Sequence, residues 1–211
     1  MNRLRGVVVL LVAGCAASGA PAAEDPAPAG GVAQVQSGRE GAGLVPPGHG
    51  TLRQDEFTVS LRSGALLIKV TPLAEAVIRL AAPDTYNRLH ALAESRRTEA
   101  ASAAMTDGPE LILVSFFSYE PDVAFQPEDL QLVQQGRLLR ARAVLPVTPG
   151  WGKQRLQQQE TQSALYVFEP GIDYELPLVV RYGVAESDGW SRIIPVLEEE
   201  HAKVRARASA G

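Results

Sequence analysis

Apolar and polar residues alternate with a period of two over much of the chain beyond residue 56. Phe57, Val59 and Leu61 alternate with Thr58, Ser60 and Arg62. After Ser63 and Gly64 the pattern resumes, with Leu66, Ile68 and Val70 set against Leu67, Lys69 and Thr71. Successive strand side chains point to opposite faces, so each run predicts a strand. The Ser-Gly pair between them predicts a hairpin, because glycine reaches the positive φ such turns need. A third short strand is predicted over 77–81. The period then changes. Tyr86, Leu89, Leu92 and Ala93 fall on one side of a helix over 84–97, with Pro83 and Asp84 at its start and Arg96 and Arg97 suited to its C-terminal end. Residues 98–109 are small and polar and predict a mobile connection.

Segment 111–119 is apolar on both faces: Ile112, Val114 and Phe116 on one, Leu113, Phe117 and Tyr119 on the other. A strand covered on both sides belongs in the middle of a sheet, with the 84–97 helix over one face. Further strands are predicted at 130–134 and 137–145, joined near Gln135 and Gly136, and at 164–168 and 176–182. In the last, Leu176, Leu178, Val180 and Tyr182 share a face. An edge strand is predicted over 190–194. A terminal helix follows over 195–207, with Pro195 at its start, Glu198 to Glu200 in its first turns and Lys203, Arg205 and Arg207 near its end. About seven short strands punctuated by Gly and Pro predict a mainly β fold: an antiparallel β-sandwich over 51–211, with one inserted helix and one C-terminal helix.

The strand rhythm resembles that of immunoglobulin-like and transthyretin-like domains on bacterial envelope lipoproteins, although the Cys…Trp…Cys core of antibody domains is absent. Residues 190–196 (WSRIIPV) resemble the C-terminal strand of the transthyretin-like lipoproteins of type VI secretion. That likeness contains no functional motif, so no role is carried over from it.

The N-terminus follows a different logic. Arg3 and Arg5 precede an uncharged run over 6–14, GVVVLLVAG. That run is far shorter than the ~20 apolar residues a membrane-spanning helix needs, and it matches the pattern of an export signal. The sequence Leu11-Val12-Ala13-Gly14-Cys15 resembles the lipobox of bacterial lipoproteins at every position. The resemblance implies cleavage between Gly14 and Cys15, a lipid attached to Cys15, and anchoring of the mature chain to a membrane through that lipid. An ordinary signal peptide with a chance cysteine is the competing explanation, but Cys15 is the single cysteine of the chain and stands where the pathway needs it. Ala16 follows it. Where the aspartate sorting rule of proteobacterial lipoproteins applies, the missing aspartate points to the outer membrane, facing the periplasm. Residues 16–50, rich in Ala, Gly and Pro, predict a disordered tether reaching about 30 Å as a flexible coil.

Composition narrows the chemistry further. One cysteine permits no intrachain disulfide and no thiolate zinc cluster. The chain carries 20 Lys and Arg against 24 Asp and Glu, a net charge of −4, and removing residues 1–14 makes it more acidic. No basic excess suggests a nucleic-acid partner. His49 is read as a solvated loop residue, and His90 and His201, on the two predicted helices, as packing or surface residues. Glu120 and Asp122 flank Pro121, and Glu128 and Asp129 follow Pro127, where carboxylates are ordinary turn residues. No Gly-x-Ser-x-Gly elbow and no phosphate loop is present. Arg137, Arg140 and Arg142 form the densest basic cluster and are read as a solvated strand face. In Pro149-Gly150-Trp151-Gly152, Trp151 is either an anchor for a partner or a plug for the end of the sandwich.

These readings give no catalytic residue, no metal site and no cofactor. They predict a non-catalytic, lipid-anchored module that contacts an envelope protein, with Trp151 as the possible contact. The alternative is a ligand-binding or hydrolytic protein whose site is assembled from loops. The anchor is directly testable: Cys15→Ser is expected to abolish incorporation of radiolabelled fatty acid and to leave an unprocessed precursor. Equal labelling of mutant and parent would disprove it.

Overall fold

A computed structural model describes residues 43–210 of the chain. The export signal, Gly14, Cys15 and most of the expected tether lie outside the described residues. The elements run in the order β1 (Val59–Ser63), β2 (Leu66–Pro72), α1 (Glu75–Ile78), α2 (Pro83–Ala104), β3 (Glu110–Ser118), β4 (Val123–Ala124), β5 (Leu130–Gln134), β6 (Arg137–Arg140), β7 (Ala143–Pro146), β8 (Arg155–Leu156), β9 (Thr161–Phe168), β10 (Val179–Tyr182), β11 (Ala185–Ser187) and α3 (Trp190–Ala210). Five strands form one sheet in the order β1-β2-β3-β9-β7. Four form a second, β11-β10-β5-β6, and β4 pairs with β8. Every ladder is antiparallel. The fold is a mainly β, sandwich-like arrangement with an inserted helix and a C-terminal helix, as the alternation predicts.

The hairpin forms as expected: Ser63 pairs with Leu66 across a two-residue turn in which Gly64 has φ +56°. β3 is the central strand of the large sheet, and its two faces do different work. Ile112, Val114 and Phe116 are fully buried. Phe116 packs on Tyr182 of β10, which makes this the face turned toward the small sheet. On the other face Leu113, Leu165 and Leu145 stand in register across β3, β9 and β7. Helix α2 packs on β9 and β7, and its Tyr86, Leu89, Ala93 and Ala100 are buried.

Four local expectations are corrected. Segment 77–81 is not a strand. The Ala74 carbonyl accepts from the amides of Val77 and Ile78, and the Glu75 carbonyl accepts from that of Arg79. A pair of β-branched residues reads as strand, but α1 turns here and buries both. The 98–109 connection is helical as far as Ala104. Ala100 finds the core, and Met105 ends α2 in the left-handed conformation, with Thr106 N–H donating back to Ala101 O at 3.2 Å. The predicted strand 137–145 breaks at Ala141 and Arg142. β6 stays in the small sheet, β7 crosses to the large one, and Arg142 N–H donates to Val167 O at 2.7 Å. Strands that change sheets in this way make the corners of a sandwich. Finally, 190–194 is helix rather than edge strand, so the likeness of 190–196 to a C-terminal strand does not hold. Ser191 and Arg192 amides donate to the Asp188 and Gly189 carbonyls and start the helix there, leaving Pro195 inside it. The edge strand is β11 instead.

The boundary at residue 50 also moves. Val45 is buried and belongs to the core. Residues 43–51 run as a strap held by four side chains. His201 Nε2 lies 3.2 Å from Gly43 O, Arg79 donates to Val45 O, and Arg207 donates to His49 O at 2.8 Å. Glu200, 3% exposed, accepts from Thr51 N–H and Oγ1 (both 2.9 Å) and from Arg207 (2.8 Å). Gly50 sits so close to Leu80 that a Cβ would lie 2.2 Å from its carbonyl carbon. A chain beginning at residue 51 is therefore expected to be less stable than one beginning at 43. Loss of Val45 burial alone should account for about 1.5–3 kcal/mol. Equal thermal unfolding midpoints for the two would refute the strap.

Candidate functional site

A cluster of titratable groups lies between α1 and α2. Glu75 opens α1. Its Oε2 accepts from Arg79 Nε at 2.5 Å, one helical turn on, and from Tyr86 OH at 3.3 Å. Its Oε1 lies 2.6 Å from His90 Nδ1. His90 stacks on Tyr86, one turn back along α2, with ring centroids 5.1 Å apart. Burial pushes the Glu75 carboxyl up, but the hydrogen bonds and charges of Arg79 and His90 outweigh it and hold the group below its ordinary value. Burial first, then the Glu75 charge, pushes the Tyr86 hydroxyl up. An ionised carboxylate only accepts, so Nδ1 carries the hydrogen in this pair.

A carboxylate on imidazole Nδ1 can orient a base. No Ser, Thr or Cys hydroxyl or thiol bonds this histidine among the described residues. Both Glu75 oxygens are held, and the cluster ties a four-residue helix to a long one. His90 is bonded to a carboxylate from another helix, which a spacing rule applied along one helix does not show. His49 and His201 lie apart from it on the strap and on α3. No group of His, Cys, Asp and Glu suited to a metal ion occurs among the described residues.

Trp151 takes the plugging role. It is 6% exposed, so its ring is closed to a partner. It packs against Phe125, Phe116 and Tyr166 with centroids 5.1, 5.9 and 6.5 Å apart. Gly150, with φ +91°, and Gln154, with φ +50°, let the loop fold back over the sandwich end. The expected carboxylates sit in turns: Glu128 and Asp129 in a 3-10 turn, and Asp122 at positive φ paired with Arg155 at 2.6 Å. Arg137 and Arg140 are exposed on β6, while Arg142 pairs with Glu169 beyond the sheet corner.

Beside the plug lies a polar cleft of about 430 Å³, lined by Gly150, Lys153, Arg155, Gln157, Glu160 and Gln162, among others. Gln162 belongs to the row Ile68–Phe116–Gln162 across β2, β3 and β9, on the inner face where the pattern calls for an apolar residue. It is 1% exposed. Its Nε2 donates to Arg155 O (3.0 Å) and Glu160 Oε1 (2.7 Å), and its Oε1 has no partner. An unmatched buried amide oxygen costs about 1–3 kcal/mol. Hydrogen bonds from Gln157 N–H and from Gln162, with the charge of Lys153, hold the Glu160 carboxyl below its ordinary value. The strand expected at 164–168 began two residues too late to expose this signal: a polar side chain at an inward position.

No family model, curated relative or solved structure matches the chain.

The Glu75 cluster makes a pH-dependent contribution to stability. The folded pKa lies below the ordinary 4.5, so the contribution is complete above the unfolded value and is lost as pH falls through the folded one. Glu75→Gln should lower stability at neutral pH by about 1–3 kcal/mol. Urea unfolding across a pH series should show the gap between parent and variant closing below 4.5. A gap independent of pH would show that the carboxylate's charge contributes nothing.

Proposed function

We propose that the chain is a lipid-anchored bacterial envelope protein, cut between Gly14 and Cys15, that works by contact with another envelope protein rather than by catalysis. The N-terminal part of the reading rests on the lipobox resemblance, and under the aspartate sorting rule of proteobacterial lipoproteins Ala16 points to the outer membrane, facing the periplasm. The observation that carries the functional part is the use made of the interior. Between the sheets stand close-packed Phe116, Phe125, Trp151, Tyr166 and Tyr182, and the one histidine–carboxylate pair among the described residues braces two helices.

Surface left for contact includes the open edge of β6, the end strand of the small sheet. Leu138 on this edge is 46% exposed. It is flanked by Arg137 and Arg140, which form no ion pair among the described residues. A photo-crosslinking residue at Leu138 in intact membranes is expected to capture a discrete envelope protein. Trp151→Ala should leave that capture in place while costing roughly 3–5 kcal/mol of stability, as emptying a buried aromatic site does. Reproducible turnover on a hydrolase panel, removed by His90→Ala, would overturn the reading.

A further inference from the structure

We propose that β6 takes on an added strand from a partner protein, and that the strand it takes is acidic, with two apolar residues standing between carboxylates that face Arg137 and Arg140. The inference rests on the partner-binding reading and names the chemistry of the partner segment.

The argument begins with the ends of the two sheets. An end strand leaves a row of backbone N–H and C=O groups unpaired. β1 and β11, each the end of its sheet, lie against one another. β7 has helix α2 packed on it, Arg96 donating to its Pro146 carbonyl at 2.7 Å, and in Pro146 a residue with no N–H to offer. β6 lacks such cover. Among the described residues, no backbone–backbone hydrogen bond joins 137–140 to anything but β5.

The side chains select what would pair there. Val179, Val133 and Leu138 stand in register across β10, β5 and β6, on the face turned away from the large sheet. The two valines are half-buried, while Leu138 ends the row in the open. An apolar residue on an added strand would carry the row one step further and cover Leu138. The neighbouring row is Arg181, Gln131 and Arg140. Arg181 pairs with Glu186 at 2.9 Å. Arg140 and Arg137, at the two ends of β6, are exposed and form no ion pair among the described residues. A carboxylate opposite each supplies the counter-charge. In strand addition the main chain gives affinity and the alternating side chains give the choice of partner.

The same charges disfavour a second copy of this chain as the occupant. The β6 sequence Arg-Leu-Leu-Arg reads alike in both directions. Two copies joined edge to edge in full register would set arginine against arginine. Like charges directly opposite one another destabilise a strand pair, and opposite charges stabilise it.

The test uses the full-length lipidated chain, ¹⁵N-labelled, in micelles of a neutral detergent. The probe is acetyl-Thr-Glu-Val-Val-Glu-Thr amide, whose core matches β6 in either strand direction. NMR follows the backbone amides of 137–140. The proposal expects saturable shifts and slowed hydrogen exchange at these amides, with a dissociation constant in the millimolar range or tighter. The same peptide with lysine in place of glutamate should not bind. A chain carrying both Arg137→Glu and Arg140→Glu should bind the glutamate peptide about tenfold more weakly or worse, and should accept the lysine peptide in its place. Should that variant fail to fold, the two peptides on the parent chain still decide the matter. Amides unmoved by the glutamate peptide, amides moved equally by both peptides, or a folded variant that keeps the parent's preference overturns the proposal. Protection of 137–140 that rises with protein concentration in the absence of peptide would place a second copy on the edge and overturn it too. Capture of a partner at Leu138 that persists undiminished in the doubly substituted chain would leave the wider reading standing while this one fell.

Discussion

A sandwich holds only if the space between its sheets is filled and dry, and here much of that filling turns on one ring. Phe116 sits on the central strand of the large sheet. It touches Tyr182 from the small sheet, Phe125 from the segment after β4, and Trp151 from the loop before β8. Each contact brings in a different part of the chain, so the large sheet, the small sheet and the end loop converge on a single side chain. Aromatic pairs in offset or edge-on geometry add to the effect of area alone. Two of these rings also keep their polar ends matched, with Tyr166 OH donating to Pro127 O and Tyr182 OH accepting from Gln126 N–H. Burial raises the pKa of both hydroxyls, which stay protonated donors or acceptors through the neutral range.

Around that centre the molecule meets its polar obligations in two ways. Most are met internally: Glu75 by Arg79, Tyr86 and His90, and Glu200 by Thr51 and Arg207. Removing one partner from such a set leaves the other buried and unmatched, which is why these groups act as fasteners. Gln162 differs. Its nitrogen is matched twice and its oxygen not at all, at the rim of the same aromatic core that excludes water elsewhere.

What could be read from the chain follows the physics of periodicity. The alternation over 57–70 and the two-sided apolar run at β3 are strong signals, and the structure places both where they point. The failures cluster where a short segment is decided by its neighbours. Val77 and Ile78 favour strand by type, yet the turn closed on Ala74 O and Glu75 O puts them in α1. The helical reach of 98–104 depends on Ala100 meeting the core, which small polar neighbours conceal. The corner at Ala141 and Arg142 leaves no mark on the alternation, because both halves continue as strand. Of the candidate site, Trp151 and its glycines stood out, though its role as anchor or plug was open until its neighbours were known. Gln162 and the Glu75–His90 pair were invisible for one reason: each gains its meaning from a residue distant in sequence or on another element.

The strap has a mechanical consequence. If the chain is held at Cys15, a pull transmitted along residues 43–51 meets Val45, the His49 carbonyl and Thr51 before it reaches a strand. Those contacts lead into α3 through His201, Arg207 and Glu200, and into Leu80 through the Leu52 amide. Tension would therefore be shared between the terminal helix and the α1 turn, and would not peel β1 directly from β2. Under such a load the terminal helix would act as a strain relief for residues 43–51 and spare the sheets.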